Sequence, residues 1–352
     1  MTALALVATL LSLAGCASAP DSDTATVASS DEPTAAVDSP SGEDAAAQPE
    51  ILPAAEPEPE VGPYDFALRL QPGTIYPLNA TIEQTVTESM MGMTIELTQS
   101  FDAEYLIDVT SVHADGSIDA VLTYNVTDVT LGADGSDDVR AALQQSTAEA
   151  TATLGPVFEA LSGLEFSLTV SPDGVVQTFS GANDYREILG AGVEGVSDEA
   201  LSSVQEMLAG LLSDEYLADA WSVYFGHIPP GPVSIGDTWT RELSLSQGMS
   251  MVSTNTYTLV DVTADTYTVQ VAGSIAADDD ASNSDVSYPG FSIAMSIEGA
   301  QTGRVVASRS TGWVVSQEWS VDATGEMTLE QEDPPHVKIG GTFSTSSTTR
   351  VE

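Results

Sequence analysis

The chain has 352 residues, of which 53 are Asp or Glu and 8 are Lys or Arg, a net charge of −45. Nucleic-acid binding is excluded by that balance, because phosphate recognition needs Lys and Arg to replace the condensed counterions. Cys16 is the only cysteine, which rules out intrachain disulfides and a cysteine-based metal or nucleophilic site in the rest of the chain.

In chain order, residues 3–13 form an uncharged apolar run followed by the small residues Ala14 and Gly15. That is the h-region and cleavage region of a signal peptide, 1–15, too short to span a bilayer, which takes roughly 20 apolar residues. The tetrad Leu13-Ala14-Gly15-Cys16 resembles a bacterial lipobox. The resemblance implies cleavage between Gly15 and Cys16, lipidation of Cys16, and a chain exported and held by its acyl groups. The n-region, Met1-Thr2, departs from that pattern in lacking Lys or Arg. Ala17 and Ser18 lack the aspartate of an inner-membrane retention signal, so the expected place is the outer membrane or the outer face of the cell membrane.

Residues 17–63 are mostly Ala, Ser, Thr, Pro, Asp and Glu, with no basic residue and a Pro-Glu repeat at Pro57-Glu58-Pro59-Glu60. Such a composition buries too little apolar surface to offset its ordering entropy. Segment 16–63 therefore reads as a lipidated cysteine followed by an acidic, extended tether.

Beyond residue 64 the pattern becomes period-two alternation rich in Thr, Val, Ile and Tyr, cut by Gly, Asp and Pro. The predicted strands are 66–70, 76–89, 94–112, 117–130, 164–170, 175–179, 238–245, 249–263, 267–276, 291–310, 313–327 and 337–349. Two stretches switch to helical spacing, 137–161 and 198–225, the second preceded by Ser197 as an N-cap and opened by Asp198 and Glu199. Gly73-Thr74-Ile75-Tyr76 is echoed by Gly236-Asp237-Thr238-Trp239, and the turn Pro172-Asp173-Gly174 by Thr311-Gly312-Trp313. The expected fold is mainly β, α+β. Two similar antiparallel units, about 64–190 and 228–352, form one curved sheet or a sandwich, joined by a helix at about 197–226, with amphipathic helices packed on the sheet.

Gly231-Pro232-Val233-Ser234-Ile235-Gly236-Asp237-Thr238-Trp239, following a helix in a β-rich chain with a long acidic tether, resembles a family of uncharacterised bacterial lipoproteins. That motif reads as a rigid turn entering a strand, with Trp239 in the core. A second likeness, of architecture alone, is to half-barrel lipoprotein carriers, whose curved sheet and helical lid hold acyl chains.

Chemistry-bearing patterns are sparse. His113, His227 and His336 are far apart and lack metal-ligand spacing, and neither a Gly-x-Ser-x-Gly elbow nor a phosphate loop occurs. Asp134, Asp137 and Asp138, and Asp278, Asp279 and Asp280, read as solvated loops rather than calcium sites. No catalytic residue, cofactor or metal site is expected, and the chain reads as a non-enzymatic binding or structural module. Its alternatives are a carrier of an apolar ligand or lipid between sheet and helices, and a hydrolase without a recognisable motif. Met90, Met91, Met93, Met249 and Met251 recur at matching places in the two halves, as adaptable packing or an apolar site. The partners expected are the membrane through Cys16, an apolar ligand, and a basic protein or divalent cation suited to the acidic field.

Overall fold

The computed structural model describes residues 62–90, 93–135, 137–211, 213–245, 251–277, 286–288, 291–331 and 338–351. The signal-peptide reading, Gly15, Cys16, Met91, Met249, His336 and the tether up to residue 61 lie outside them.

Alternation of buried and exposed side chains drives the first strands. β1 (Ile75–Met90) buries Leu78, Ala80, Ile82, Gln84 and Val86, and β2 (Met93–Val112) buries Phe101, Ala103, Tyr105, Ile107 and Val109. Residues at this spacing share one face of a strand, and burying each large apolar one contributes about 1.5–3 kcal/mol. β3 (Ile118–Gly135), helix α1 (Asp137–Leu161), β4 (Leu164–Val170), β5 (Val176–Ser180) and the short α2 (Tyr185–Gly190) complete the first half. Two helices follow, α3 (Asp198–Leu211) and α4 (Asp214–Phe225). The second half holds β6 (Thr238–Leu245), β7 (Met251–Val262), β8 (Thr266–Ala277), β9 (Val286–Tyr288), β10 (Phe291–Ser308), β11 (Val314–Gln331) and β12 (Lys338–Val351).

The twelve strands of the described residues belong to one antiparallel sheet in the order β5-β4-β3-β2-β1-β12-β11-β10-β8-β7-β6, with β9 off this path and paired to β10. The two halves are therefore not stacked as a sandwich. The C-terminal strand returns between them, pairing with β1 on one side and β11 on the other. Eleven strands laid flat would separate β5 from β6 by roughly 48 Å. Yet α4 packs against both, and Arg241 on β6 donates from Nη2 to the carbonyl of Asp173 in the β4–β5 turn at 2.8 Å. A helix is only about 10–12 Å across, so the sheet curls until its two edges flank α4.

One end of this shell is tied by the segment before β1. Segment 66–70, predicted as a strand, alternates as expected, with Phe66, Leu68 and Leu70 buried, but joins no ladder. Its neighbours are turns: Leu68 N–H donates to Pro172 O at 2.8 Å and Arg69 N–H to Thr311 O at 2.8 Å. The predicted helix 198–225 is two helices, α3 and α4. Ser213-Asp214-Glu215 supplies a second start signal, an N-cap residue type followed by acidic residues at the positive helix end.

The internal echo has a structural counterpart. Gly73 and Gly236 both take positive φ, 76° and 94°, and donate to the carbonyls of Val109 and Leu259, each at 2.7 Å. Val109 and Leu259 in turn donate to Thr74 O and Asp237 O, so the same clasp closes the entry of each half.

Candidate binding face inside the sheet

Directly paired residues in an antiparallel sheet lie on the same face, so the register resolves the inner face into rows across the strands. Near the tied end, Ile82 on β1 aligns with Phe101, Thr349, Trp319, Gly303, Val271, Tyr257 and Trp239. α1 and α4 cover the first half of this level: Phe158 meets Phe101 edge-on at 5.8 Å and Trp221 meets Tyr105 at 5.3 Å. Trp239 donates from Nε1 to Gly226 O at 3.0 Å and stacks with Tyr257 at 5.8 Å, the anchoring role expected of it.

One row further on, the chemistry changes. Gln99, Gln84, Ser347, Val321, Gln301, Gly273, Asn255 and Arg241 align across eight strands. This is a belt of amides and hydroxyls inside the shell. Gln99 bonds Gln84, whose Nε2 donates to Thr345 Oγ1 at 2.9 Å; Gln301 Nε2 donates to Ser253 Oγ at 2.5 Å and to Asn255 Oδ1 at 2.6 Å.

Around this belt, several buried polar atoms have no partner among the described residues: both amide atoms of Gln317, Trp319 Nε1, Ser347 Oγ, Thr349 Oγ1, Tyr267 Oη and Arg241 Nε. Leaving a buried polar group unbonded costs about 1–3 kcal/mol, so atoms such as these are ordinarily met by buried water or another polar group. Gln317, Trp319, Ser347 and Thr349 lie on the adjacent strands β11 and β12, and Trp319 and Thr349 are directly opposite.

Beyond the belt the rows turn apolar. Glu88, Ile95, Phe343, Gly325 and Ile297 align, and burial raises the Glu88 carboxyl above its ordinary value. The row after that pairs Met93, Met90, Gly341, Met327 and Met295 in register across β2, β1, β12, β11 and β10, and the last three strands run on past it through Ile339, Leu329 and Ile293. Of the methionines singled out in the sequence, Met90 and Met93 are thus directly paired, and Met251 opens β7 opposite Ala277.

The outer face differs. A groove of about 720 Å³ runs over β1, β12, β11, β10 and β8, lined by Thr85, Thr87, Ser344, Ser346, Asp322 and Glu298 among others. A smaller one of about 460 Å³ beside residue 62 gathers Arg69 and Arg309, with the Arg309 guanidinium 5.4 Å from the Tyr64 ring centre.

The remaining candidates are structural. His113 bonds Asp119 at 2.7 Å, and the Ser111, Thr169 and His113 hydrogen bonds hold that carboxyl below its ordinary value. Ser111 bonds the aspartate and not the histidine, so no nucleophile–base pair forms. His227 is buried between two carbonyls, Tyr224 O at 2.8 Å and Gly312 O at 3.0 Å. Asp134 pairs with Arg140 at 2.6 Å, and Asp278, Asp279 and Asp280 lie outside the described residues, among which no metal-ligand cluster occurs.

The amide belt was missed in the sequence. Its signal was there, a polar residue in an apolar phase: Ile82-x-Gln84-x-Val86 and Asn255-x-Tyr257-x-Leu259.

A family model matches residues 115–314, which contain the Gly236-Asp237-Thr238-Trp239 clasp. The chain belongs to a family of unknown function, DUF6263. That match runs from the turn before β3 to the first residue of β11 and includes the described helices α1 to α4, in keeping with the uncharacterised family that the motif resembles. No curated protein matches the chain. Among solved structures it is similar to lipovitellin, described for its lipid–protein interactions, at 12% identity and a TM-score of 0.34, over 80% of this chain and 25% of that one. The chain thus spans about a quarter of that relative. An outer membrane channel from Pseudomonas putida F1 aligns at 11% identity and a TM-score of 0.17, over 83% of this chain and 100% of the channel. OccAB4 of Acinetobacter baumannii aligns at 7% identity and 0.15, over 80% and 99%. None of these scores carries a functional argument.

Proposed function

We propose that the chain is an exported envelope lipoprotein, anchored through Cys16, whose curled sheet is a non-enzymatic binding module for an apolar or amphipathic ligand. What supports this reading is the backbone register, which pairs Met93, Met90, Gly341, Met327 and Met295 across five strands in the phase of the buried Ile82 and Trp319. Methionine is unbranched and polarisable, so this residue type in that phase suits an adaptable apolar site. The next row holds Ile95, Phe343 and Ile297 beside the half-buried Glu88, whereas Thr, Ser, Asp and Glu make up most of the lining of the outer groove. The long acidic segment between Cys16 and the sheet supports display away from a membrane. This favours the ligand-carrying alternative over a purely structural module.

The test is mass spectrometry of the full chain purified from its own host's envelope, first native and then after solvent extraction. The anchored binding module predicts a covalent diacylglycerol mass on the Cys16 peptide and a second, extractable apolar molecule near one per chain. Met327→Glu and Met295→Glu should empty the chain of that molecule while leaving the covalent mass. A chain carrying no extractable molecule overturns the binding reading, and an unmodified Cys16 overturns the anchor.

A further inference from the structure

Basic residues are scarce in this chain, yet two of the eight line one pocket. The groove of about 460 Å³ beside residue 62 brings Arg69 and Arg309 together with Tyr64, Phe66 and Asp65. Both arginines are fixed through the backbone: Arg69 N–H donates to Thr311 O and Arg309 N–H to Asp265 O, each at 2.8 Å. Tyr64 exchanges backbone hydrogen bonds with Val233 at 2.7 and 2.9 Å, and its ring stacks on Phe66, which stacks on the buried Tyr267. The Arg309 guanidinium lies 5.4 Å from the Tyr64 ring centre and donates from Nη1 to Thr263 O at 3.3 Å. The pocket is thus built on fixed parts.

Its charge runs against that of the molecule. Arg69 Nη2 approaches Asp65 Oδ2 at 3.6 Å, with 48% of the arginine side chain and 72% of the aspartate exposed, so the pair is weak. Among the lining residues two guanidinium charges stand against one carboxylate, a local positive excess in a chain of net charge −45. Such a place attracts carboxylates, which a guanidinium bonds through two parallel N–H groups.

One acidic segment is joined to it covalently. Gly62 lines the pocket, and the six residues before it are Glu56-Pro57-Glu58-Pro59-Glu60-Val61. Arg69 is the first basic residue in the chain, so these glutamates meet no cation on their N-terminal side. At about 3.1 Å per residue in polyproline geometry, Glu60 and Glu58 fall roughly 6 and 12 Å from Gly62. A segment tethered so closely acts at an effective concentration of about the millimolar range, which a free anion would have to exceed. The two prolines fix φ in advance and reduce the entropy lost on docking.

We infer that the Arg69–Arg309 pocket holds the acidic segment 56–60 of the same chain, through Glu58 and Glu60, as a latch between tether and sheet. The segment leading to Cys16 then departs at the tied end, opposite the far ends of β10, β11 and β12. The latch rests on neither the lipid anchor nor the ligand reading, and its test removes the anchor.

Cys16 is the only cysteine, so the full chain with Cys16→Ser and Pro57→Cys takes one nitroxide label beside Glu58. Its electron paramagnetic resonance line shape at low salt should show a slow component. Arg69→Gln with Arg309→Gln should shift the ratio of slow to fast about fivefold toward fast, and so should 1 M NaCl, where the Debye length is about 3 Å. Glu58→Gln with Glu60→Gln should do the same without touching the sheet, which keeps the test clear of any unfolding by the arginine changes. A wholly fast label in the chain that keeps all four charges, or a ratio unmoved by the glutamate pair, overturns the latch.

Discussion

At the scale of the residue, His227 has the most constrained environment. A neutral imidazole has one N–H, yet both ring nitrogens face a carbonyl oxygen, of Tyr224 and of Gly312. Burial dominates and lowers its pKa from 6.5, against the two carbonyls, which favour the charged form. The sign follows. Above pH 6.5 the folded and unfolded chains both hold the ring neutral. Below it the unfolded chain takes up a proton that the folded chain resists, so stability falls with falling pH. Glu88 and Asp219, raised by burial, act oppositely, so a variant is needed to isolate the histidine. Urea midpoints at about pH 7 and pH 5 should show that His227→Gln loses less stability than the natural chain over that interval. Equal losses would mean that the ring does not stay neutral when folded. Little of this was legible in the sequence. His227 stood beside prolines with no metal spacing, and its carbonyl Gly312 O is 85 positions away. Gln84 and Gln301 escaped for the same reason, because one polar residue in an alternating strand gains meaning only from its neighbours across the ladder.

At the scale of elements, the turns at the tied end do more than reverse the chain. Gly174 and Gly312 sit in the two echoed turns at φ 81° and 70°, a region costly for any residue with a Cβ. A Cβ on Gly312 would lie 2.6 Å from Ala67 O, in the segment that ties the β4–β5 and β10–β11 turns together. Gly312→Ala should therefore cost about 2 kcal/mol or more from backbone strain and the clash combined, read as a lower urea midpoint. Gly236→Ala, with φ 94° but open space around it, should cost less. A smaller loss at Gly312 than at Gly236 would show that residues 66–70 can give way. The echo of these turns was readable from the glycines, and the strands from their alternation. Three things were not: the curl that brings β5 and β6 to α4, the return of β12 between the halves, and the fate of 66–70. All three depend on which segments meet far along the chain, and alternation reports only that a face is buried, never against what.

At the scale of the whole molecule, 53 acidic residues against 8 basic ones leave most carboxylates without a partner cation. The ion pairs among the described residues are exposed, such as Arg350 reaching Glu83 on β1 at 3.4 Å and Glu318 on β11 at 3.7 Å. Exposed pairs of this kind contribute about 0–1 kcal/mol each, whereas repulsion among the excess carboxylates acts over every pair within a Debye length. That length falls from about 10 Å at 0.1 M salt to about 3 Å at 1 M, so added salt removes more repulsion than attraction. The thermal midpoint of the full chain should rise by several degrees between those concentrations of NaCl. The rise should repeat in KCl, because screening does not distinguish the cation. Arg350→Ala should lower the midpoint slightly at low salt and not at all at high salt. A midpoint that stayed flat or fell with salt would place the balance on the cross-strand pairs instead, making Arg350 a main support of the β1–β12–β11 seam where the two halves join.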